Sequence, residues 1–269
     1  MIKLILRWTI GENSAFKLGS QAFEMLDYSI RFAKLIFNKL PNYTEYFVCH
    51  NNLAITSQKK VLKISTRNGV ELKDVTNELP AWLKATGVKN SWWKYAIPRF
   101  DVKSYEIIID NDIIFWELPA TLKQAIRNKS LVALQDGVGK FYGDFLEDVN
   151  AVDSNLKLNA GLLGCPPGFE ININCIDKKN MKDFFFSEQG FTALQFAKYT
   201  GSKLIIPLSE IQQLNANRIN SLDLLENYKG GHFCGCSYDI EQFWKKNYCT
   251  FVKKKYREIV KHEFSSWNS

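Results

Sequence analysis

The sequence has no apolar run that approaches the length needed to cross a bilayer as a helix. Its opening, Met1-Ile2-Lys3-Leu4-Ile5-Leu6-Arg7-Trp8, is too short and too soon charged for a signal peptide and reads as a first buried strand. A cytoplasmic location is therefore expected. No Cys-x-x-Cys pair occurs among Cys49, Cys165, Cys175, Cys234, Cys236 and Cys249, which argues against a structural zinc site. Without an export signal these thiols are expected to be reduced and mostly buried as small apolar groups. No internal repeat or low-complexity linker breaks the chain, which favours one catalytic-size domain. Acidic residues are in deficit, 28 against 35 Lys and Arg, and the net charge of +7 fits an acidic partner such as a nucleotide, nucleic acid or anionic lipid.

What is present is ordinary in bulk and specific in order. A chain of 269 residues with 46% hydrophobic and 23% charged residues can bury one large core. Short apolar runs alternate with amphipathic stretches. Lys3 to Trp8 reads as a strand. Ala22 to Leu40 reads as a helix, because Phe23, Leu26, Ile30, Ala33 and Phe37 recur at three- and four-residue steps. Tyr46-Phe47-Val48-Cys49 reads as a second strand, so a parallel pair joined by a helical crossover is expected. Val61 to Leu72 fits either element. Trp82 to Tyr95, Leu118 to Arg127 and Ser187 to Tyr199 read as helices, Ser130 to Leu134 and Lys203 to Leu208 as strands. Gln135 to Gly143, with its three glycines, reads as a flexible loop.

The most informative stretch is Tyr105-Glu106-Ile107-Ile108-Ile109-Asp110-Asn111-Asp112. Three consecutive isoleucines suit a strand buried on both faces, and the end of such a strand opens on the ligand crevice of an α/β sheet. If extended geometry continues through Asn111, Asp110 and Asp112 point the same way. Two convergent carboxylates call for a cation or proton between them, and a hard divalent ion carrying phosphate oxygens meets that need. An ordinary polar turn after a buried strand is the alternative.

From residue 243 the composition changes. Phe243, Trp244, Tyr248, Phe251, Val252, Tyr256, Ile259, Val260 and Phe264 fall on helical spacing among Lys245, Lys246, Lys253, Lys254, Lys255, Arg257 and Lys261. A tail helix over 243–269 is expected to follow a domain over 1–242. It either packs its aromatic face on that domain or anchors peripherally on an anionic membrane, at the inner face. Helical spacing argues against base stacking, so nucleic acid is not the expected partner.

Further motifs follow the strand of isoleucines in order. Lys94-Tyr95-Ala96-Ile97-Pro98-Arg99 precedes it; Asn159-Ala160-Gly161, Glu188-Gln189-Gly190 and Gly230-Gly231-His232-Phe233-Cys234-Gly235 come after. In this order the set resembles the GT-A fold nucleotide-sugar glycosyltransferases, most closely the retaining family that includes glycogenin and bacterial lipopolysaccharide galactosyltransferases. The resemblance covers Ile2 to about Trp244. It implies an α/β fold with a mostly parallel central sheet flanked by helices, a Rossmann-like nucleotide-binding half and the amphipathic C-terminal tail.

The resemblance also implies a site. Asp110 and Asp112 match the family's Asp-x-Asp motif, and His232 with Gly235 matches its late His-x-x-Gly, the three side chains binding Mn2+ or Mg2+. Two carboxylates and an imidazole suit manganese better than calcium. Asn159 to Gly161 resembles the segment beside the transferred sugar. Glu188 and Gln189 resemble the Asp-Gln pair at the anomeric carbon, although Ser187 as a helix cap with acidic residues behind it explains them equally well. Lys94 or Arg99 would neutralise donor phosphate, with Asn111 beside the diphosphate. Arg7, Thr9 and Asn51 would meet base and ribose at the ends of the first two strands. The family's Lys-Pro-Trp after the histidine motif is replaced here by Cys236-Ser237-Tyr238.

The activity implied is transfer of a sugar from a nucleotide-diphosphate donor, uridine-linked and with retention, to a hydroxyl of a carbohydrate, glycolipid or surface-polysaccharide acceptor. Two other readings compete. A sugar-phosphate nucleotidyltransferase needs a glycine-rich basic loop after the first strand, but Trp8 to Lys17 holds Gly11 alone. A non-catalytic module would keep the fold for binding only.

Overall fold

The computed structural model describes residues 2–11, 20–81, 83, 93–173, 176, 184–214, 222–234 and 245–266. The first strand β1 (Leu4–Gly11), helix α1 (Ser20–Phe37) and strand β2 (Thr44–Asn51) form the expected parallel crossover unit. Helix α2 (Ile55–Asn68) and strand β3 (Glu71–Asp74) extend it. The ambiguous stretch from Val61 thus divides into helix and strand. Gly69 makes the division: its φ of 58° lets the chain reverse, with Val70 N–H on the Ser65 carbonyl.

A short helix α3 (Trp93–Ala96) leads to β4 (Tyr105–Asp110), then β5 (Ile113–Phe115), α4 (Ala120–Asn128) and β6 (Leu131–Gln135). Next come α5 (Leu146–Val152), β7 (Leu158–Cys165), α6 (Phe184–Lys198), β8 (Lys203–Ile206), β9 (Ile211–Leu214), β10 (Gly230–Phe233) and α7 (Lys245–Ser266). The seven-stranded sheet has the order β3-β2-β1-β4-β7-β6-β8 and is parallel except for β7, which runs against β4 and β6. A three-stranded sheet, β5-β10-β9, stands beside it.

Both faces of the large sheet are covered. Leu4, Leu6, Trp8 and Ile10 of β1 pack with Phe23, Leu26, Ile30, Ala33 and Phe37 of α1 in one core. Cys49, Ile108, Ala133 and Leu163 face the opposite core, with Tyr95 and Phe191. This explains why β4 reads as a continuous apolar run rather than an alternating one.

One expectation needs correction. Strand β4 stops at Asp110, and Asn111-Asp112 is a turn into β5, so the acid pair is not carried by extended geometry. Asn159 to Gly161 lies inside strand β7. A small second sheet was not foreseen at all.

The tail packs on the domain. Tyr248, Phe251 and Val252 are buried with Met25, Phe32, Trp116 and Phe233. Tyr256 meets the edges of Phe32 and Tyr28, and Phe251 meets Trp116 at 5.7 Å between ring centres. Lys253 pairs with Glu24 and Lys255 with Glu226. The described aromatic face is thus covered, and what α7 turns outward is basic. Positions 243 and 244 lie outside the described residues. No helix among the described residues is long and apolar enough to cross a membrane. Replacing Phe251 by alanine is expected to lower the unfolding free energy by about 3–5 kcal/mol, read as a lower denaturant midpoint at unchanged slope. A tail free of the domain would leave the midpoint where it is.

Candidate functional site

The site sits where the two sheets meet. Asp110 closes β4 at its carboxyl end, and the Asn111-Asp112 turn hands the chain to β5. Strand β10 pairs antiparallel with β5, placing His232 opposite Ile113, while Phe233 N–H bonds the Asp112 carbonyl at 2.8 Å. Main-chain pairing therefore carries the distant histidine to the acids. His232 Nε2 lies 3.3 Å from Asp112 Oδ1. One ligand atom each from Asp110, Asp112 and His232 lie within 4.8 Å of one another.

These residues fit a divalent cation. Asp112 Oδ1 and His232 Nδ1 are buried without a hydrogen-bond partner, and two carboxylates with an imidazole suit manganese or magnesium. Burial opposes charge on His232, but its interactions with Cys234 and Asp112 outweigh that and hold its pKa well above the ordinary value. Gly235, which completes the histidine motif, lies outside the described residues.

Behind the acids stands Lys94, fully buried on α3. Its Nζ contacts Asp110 Oδ1 at 2.7 Å and Glu188 Oε1 at 2.6 Å, and donates to the Ala160 carbonyl at 3.0 Å. Burial works against the ammonium, while Asp110 and Glu188 overcome it and raise its pKa well above the usual lysine value. Glu188 is pushed up to about 7, mainly by burial, with Lys94 pulling down and Asp110 adding repulsion. Asp110 is raised by burial, against the pull of Lys94 and with the push of Asp112. Glu188 and Gln189 lie in the second turn of α6, so Ser187 is not its cap; the Ser187 hydroxyl instead bonds Asp144 Oδ2 at 2.9 Å.

On the far side Gln189 and Asn159 share a carboxylate that sequence reading missed. Asp136, nearly buried at the end of β6, accepts Gln189 Nε2 at 3.0 Å and Asn159 Nδ2 at 3.4 Å on one oxygen. Its other oxygen accepts Val138 and Gly139 N–H. The only clue was an Asp heading a Gly-Val-Gly turn, a common way for a carboxylate to cap its own loop. Asn159 Oδ1 also accepts Gly161 N–H at 2.8 Å. Gly161 must be glycine: a Cβ there would stand 2.7 Å from His232 Cε1 and 2.9 Å from Asn159 Oδ1.

Other expected site residues lie elsewhere. Arg7 is buried in the sheet against Glu106, and Arg99 gives its nitrogens to the carbonyls of Pro166, Phe169 and Ser104. Both guanidinia are instead engaged by internal carbonyls and paired in charge with Glu106. Asn111 turns inward, Nδ2 3.5 Å from the Ala22 carbonyl of α1. Thr9 and Asn51 do lie at the carboxyl ends of β1 and β2, Thr9 in register with Asp110.

No protein-family profile and no curated protein matches the sequence. Solved structures do match in fold. The galactosyltransferase LgtC in complex with donor and acceptor sugar analogues superposes with a TM-score of 0.57 at 11% identity, over 92% of this chain and 94% of that one. The glycosyltransferase GlyE of Streptococcus pneumoniae TIGR4 gives 0.55 at 11%, over 99% of this chain and 64% of GlyE. Mouse xyloside xylosyltransferase 1 gives 0.51 at 10%, over 89% and 100%. The chain has the GT-A fold, and it resembles LgtC in architecture across nearly its whole length.

Two outcomes test the geometry. Gly161→Ala is expected to weaken Mn2+ binding by about 10- to 100-fold in calorimetry, since the new methyl displaces His232 and Asn159 while the secondary structure persists. Glu188, whose folded pKa of about 7 exceeds the ordinary carboxyl value of 4.5, contributes stability that is full below the lower value and lost as pH rises through the higher one. The melting temperature of Glu188→Gln, relative to the parent, should therefore climb between those two values; a flat difference would contradict the shift.

Proposed function

We propose that this protein is a metal-dependent glycosyltransferase that moves a sugar from a nucleotide-diphosphate donor to a hydroxyl acceptor. The observation that carries the reading is the meeting of Asp110, Asp112 and His232 at the carboxyl end of β4, in a fold shared with glycosyltransferases. A divalent ion bound there would supply Lewis-acid neutralisation of the diphosphate charge that grows as the glycosidic bond breaks.

The chain's own residues divide the remaining work. Asp110, Asp112 and His232 would hold the ion, His232 through a neutral imidazole nitrogen. Lys94 keeps Asp110 in place from behind and offsets one of the clustered negative charges. Gln189 and Asn159, both neutral amides oriented by Asp136, face the sugar as hydrogen-bonding groups. Thr9 and Asn51 lie where an open α/β sheet receives the nucleoside. A uridine-linked donor and retention of configuration are the expectations of the family resemblance. The acceptor is a carbohydrate, free or on a glycolipid. Any contact with an anionic surface would use the basic outer positions of α7, since its described aromatic residues pack on the domain.

Screening nucleotide-sugars for thermal stabilisation with and without Mn2+ tests this. A metal-dependent rise with a uridine-linked sugar, followed by release of the nucleoside diphosphate, is the expected result. Binding without turnover would favour a non-catalytic module, and pyrophosphate formation from a sugar phosphate and a nucleoside triphosphate would favour a nucleotidyltransferase. Asp112→Ala should lose turnover on the order of 100-fold or more while keeping its fold, the scale seen when a group stabilising developing charge is removed.

A further inference from the structure

Beneath the rim lies a second charged cluster that the proposed chemistry does not touch. Arg7 of β1 and Glu106 of β4, neither with any exposed side-chain surface (0%), stand 3.2 Å apart, Nε to Oε1. Those two atoms lack hydrogen-bond alignment, so the contact balances charge without setting direction. Direction comes from the other guanidinium nitrogens. Nη2 donates to the Lys94 carbonyl and Nη1 to the Pro98 carbonyl, each at 3.1 Å. Glu106 Oε2 accepts Phe100 N–H at 3.0 Å, and the Phe100 ring lies 5.3 Å from the Arg7 guanidinium carbon. The pair thus grips both ends of the segment from Lys94 to Phe100.

The grip bears on the site. Helix α3 is described over the single turn Trp93–Ala96. It holds the Lys94 ammonium within 2.7 Å of two carboxylates that belong to different elements. An apolar pair would fill the interior at lower electrostatic cost but could hold no carbonyl, whereas the planar guanidinium donates to two at a fixed spacing.

We infer that Arg7, held by Glu106, is a positioning residue for Lys94: its guanidinium fixes the main chain at Lys94 so that the ammonium lands between Asp110 and Glu188. The kinetic part of this inference rests on the transferase reading. Arg7→Lys keeps a cation opposite Glu106 but loses the fork, and Glu106→Gln keeps an acceptor for Phe100 while removing the charge.

Three measurements on the full chain separate positioning from scaffolding. The first is reductive methylation of Lys94 followed by mass spectrometry, with exposed Lys254 as internal reference. The second is thermal unfolding, and the third is donor turnover. In the parent Lys94 should be protected. In Arg7→Lys it should react about tenfold faster relative to Lys254, and kcat should fall about tenfold or more with KM for the donor nearly unchanged, as expected when a charged group is misplaced by about an ångström. Glu106→Gln should shift both readouts in the same direction. A folded Arg7→Lys protein with Lys94 still protected and kcat intact overturns the inference, even if its melting temperature is lower. Failure of both variants to fold would mark the pair as a folding element alone and would equally overturn it. If the parent turns over no donor, the transferase reading fails, and the Lys94 footprint alone decides the positioning claim.

Discussion

The site depends on one buried ammonium. Lys94 offers three N–H donors and meets three acceptors, Asp110 Oδ1, Glu188 Oε1 and the Ala160 carbonyl. Those acceptors come from β4, α6 and β7, so a single side chain registers three elements against each other. Taking an ammonium out of water costs several kcal/mol, recovered only when geometry and hydrogen bonding are complete. Any movement of one element leaves charge uncompensated in the interior, and this makes the arrangement stiff. On the other side of Asp110 stand Asp112 and His232, whose ligand atoms lie within 4.8 Å of it and of one another.

The second constraint is the seam between the two sheets. His232 and the acids are brought together by β-pairing of β10 with β5, not by a loop reaching across. Close approach at that seam requires missing side chains. A Cβ on Gly161 would strike His232 and Ile113, and one on Gly230 would lie 2.6 Å from the Ile114 carbonyl. Gly230 therefore serves strand packing. The histidine is reached by the straightest route the fold allows.

Much of this could be seen in the sequence because it rests on periodicity. The apolar stripe of α1 and the isoleucine run of β4 are long enough to leave a pattern, and both pack as their spacing implies. Strands of three or four residues such as β5, β9 and β10 leave none, so the second sheet was invisible. Asp110, Asp112 and His232 were legible because their chemistry is scarce in such an order. Asp136 was not, since an Asp before glycines is common in any turn. Arg7 misled for a physical reason: an arginine in a strand looks like a rim residue until its buried partner is known, and Glu106 lies far along the chain with nothing in the sequence to tie the two. Asn111 lies in the turn just past the end of β4, where strand alternation no longer sets where a side chain points.

The buried pair of Arg7 and Glu106 bears on what identity near 11% means in a shared fold. Such a fold has to place a few polar atoms at a sheet's carboxyl edge, and many interiors can do so. An apolar interior would hold the α3 segment by shape alone. This chain holds it by directed bonds from a guanidinium, with Arg99 and Glu106 completing an ionic layer under the site. Such a layer is costly, and it offers little stability over hydrophobic packing. What it does supply is orientation, because a bond to a carbonyl fixes a backbone more narrowly than a methyl contact does. An interior of this kind makes sense beneath a lysine that has to meet two carboxylates at once, and would be wasteful anywhere else in the sheet.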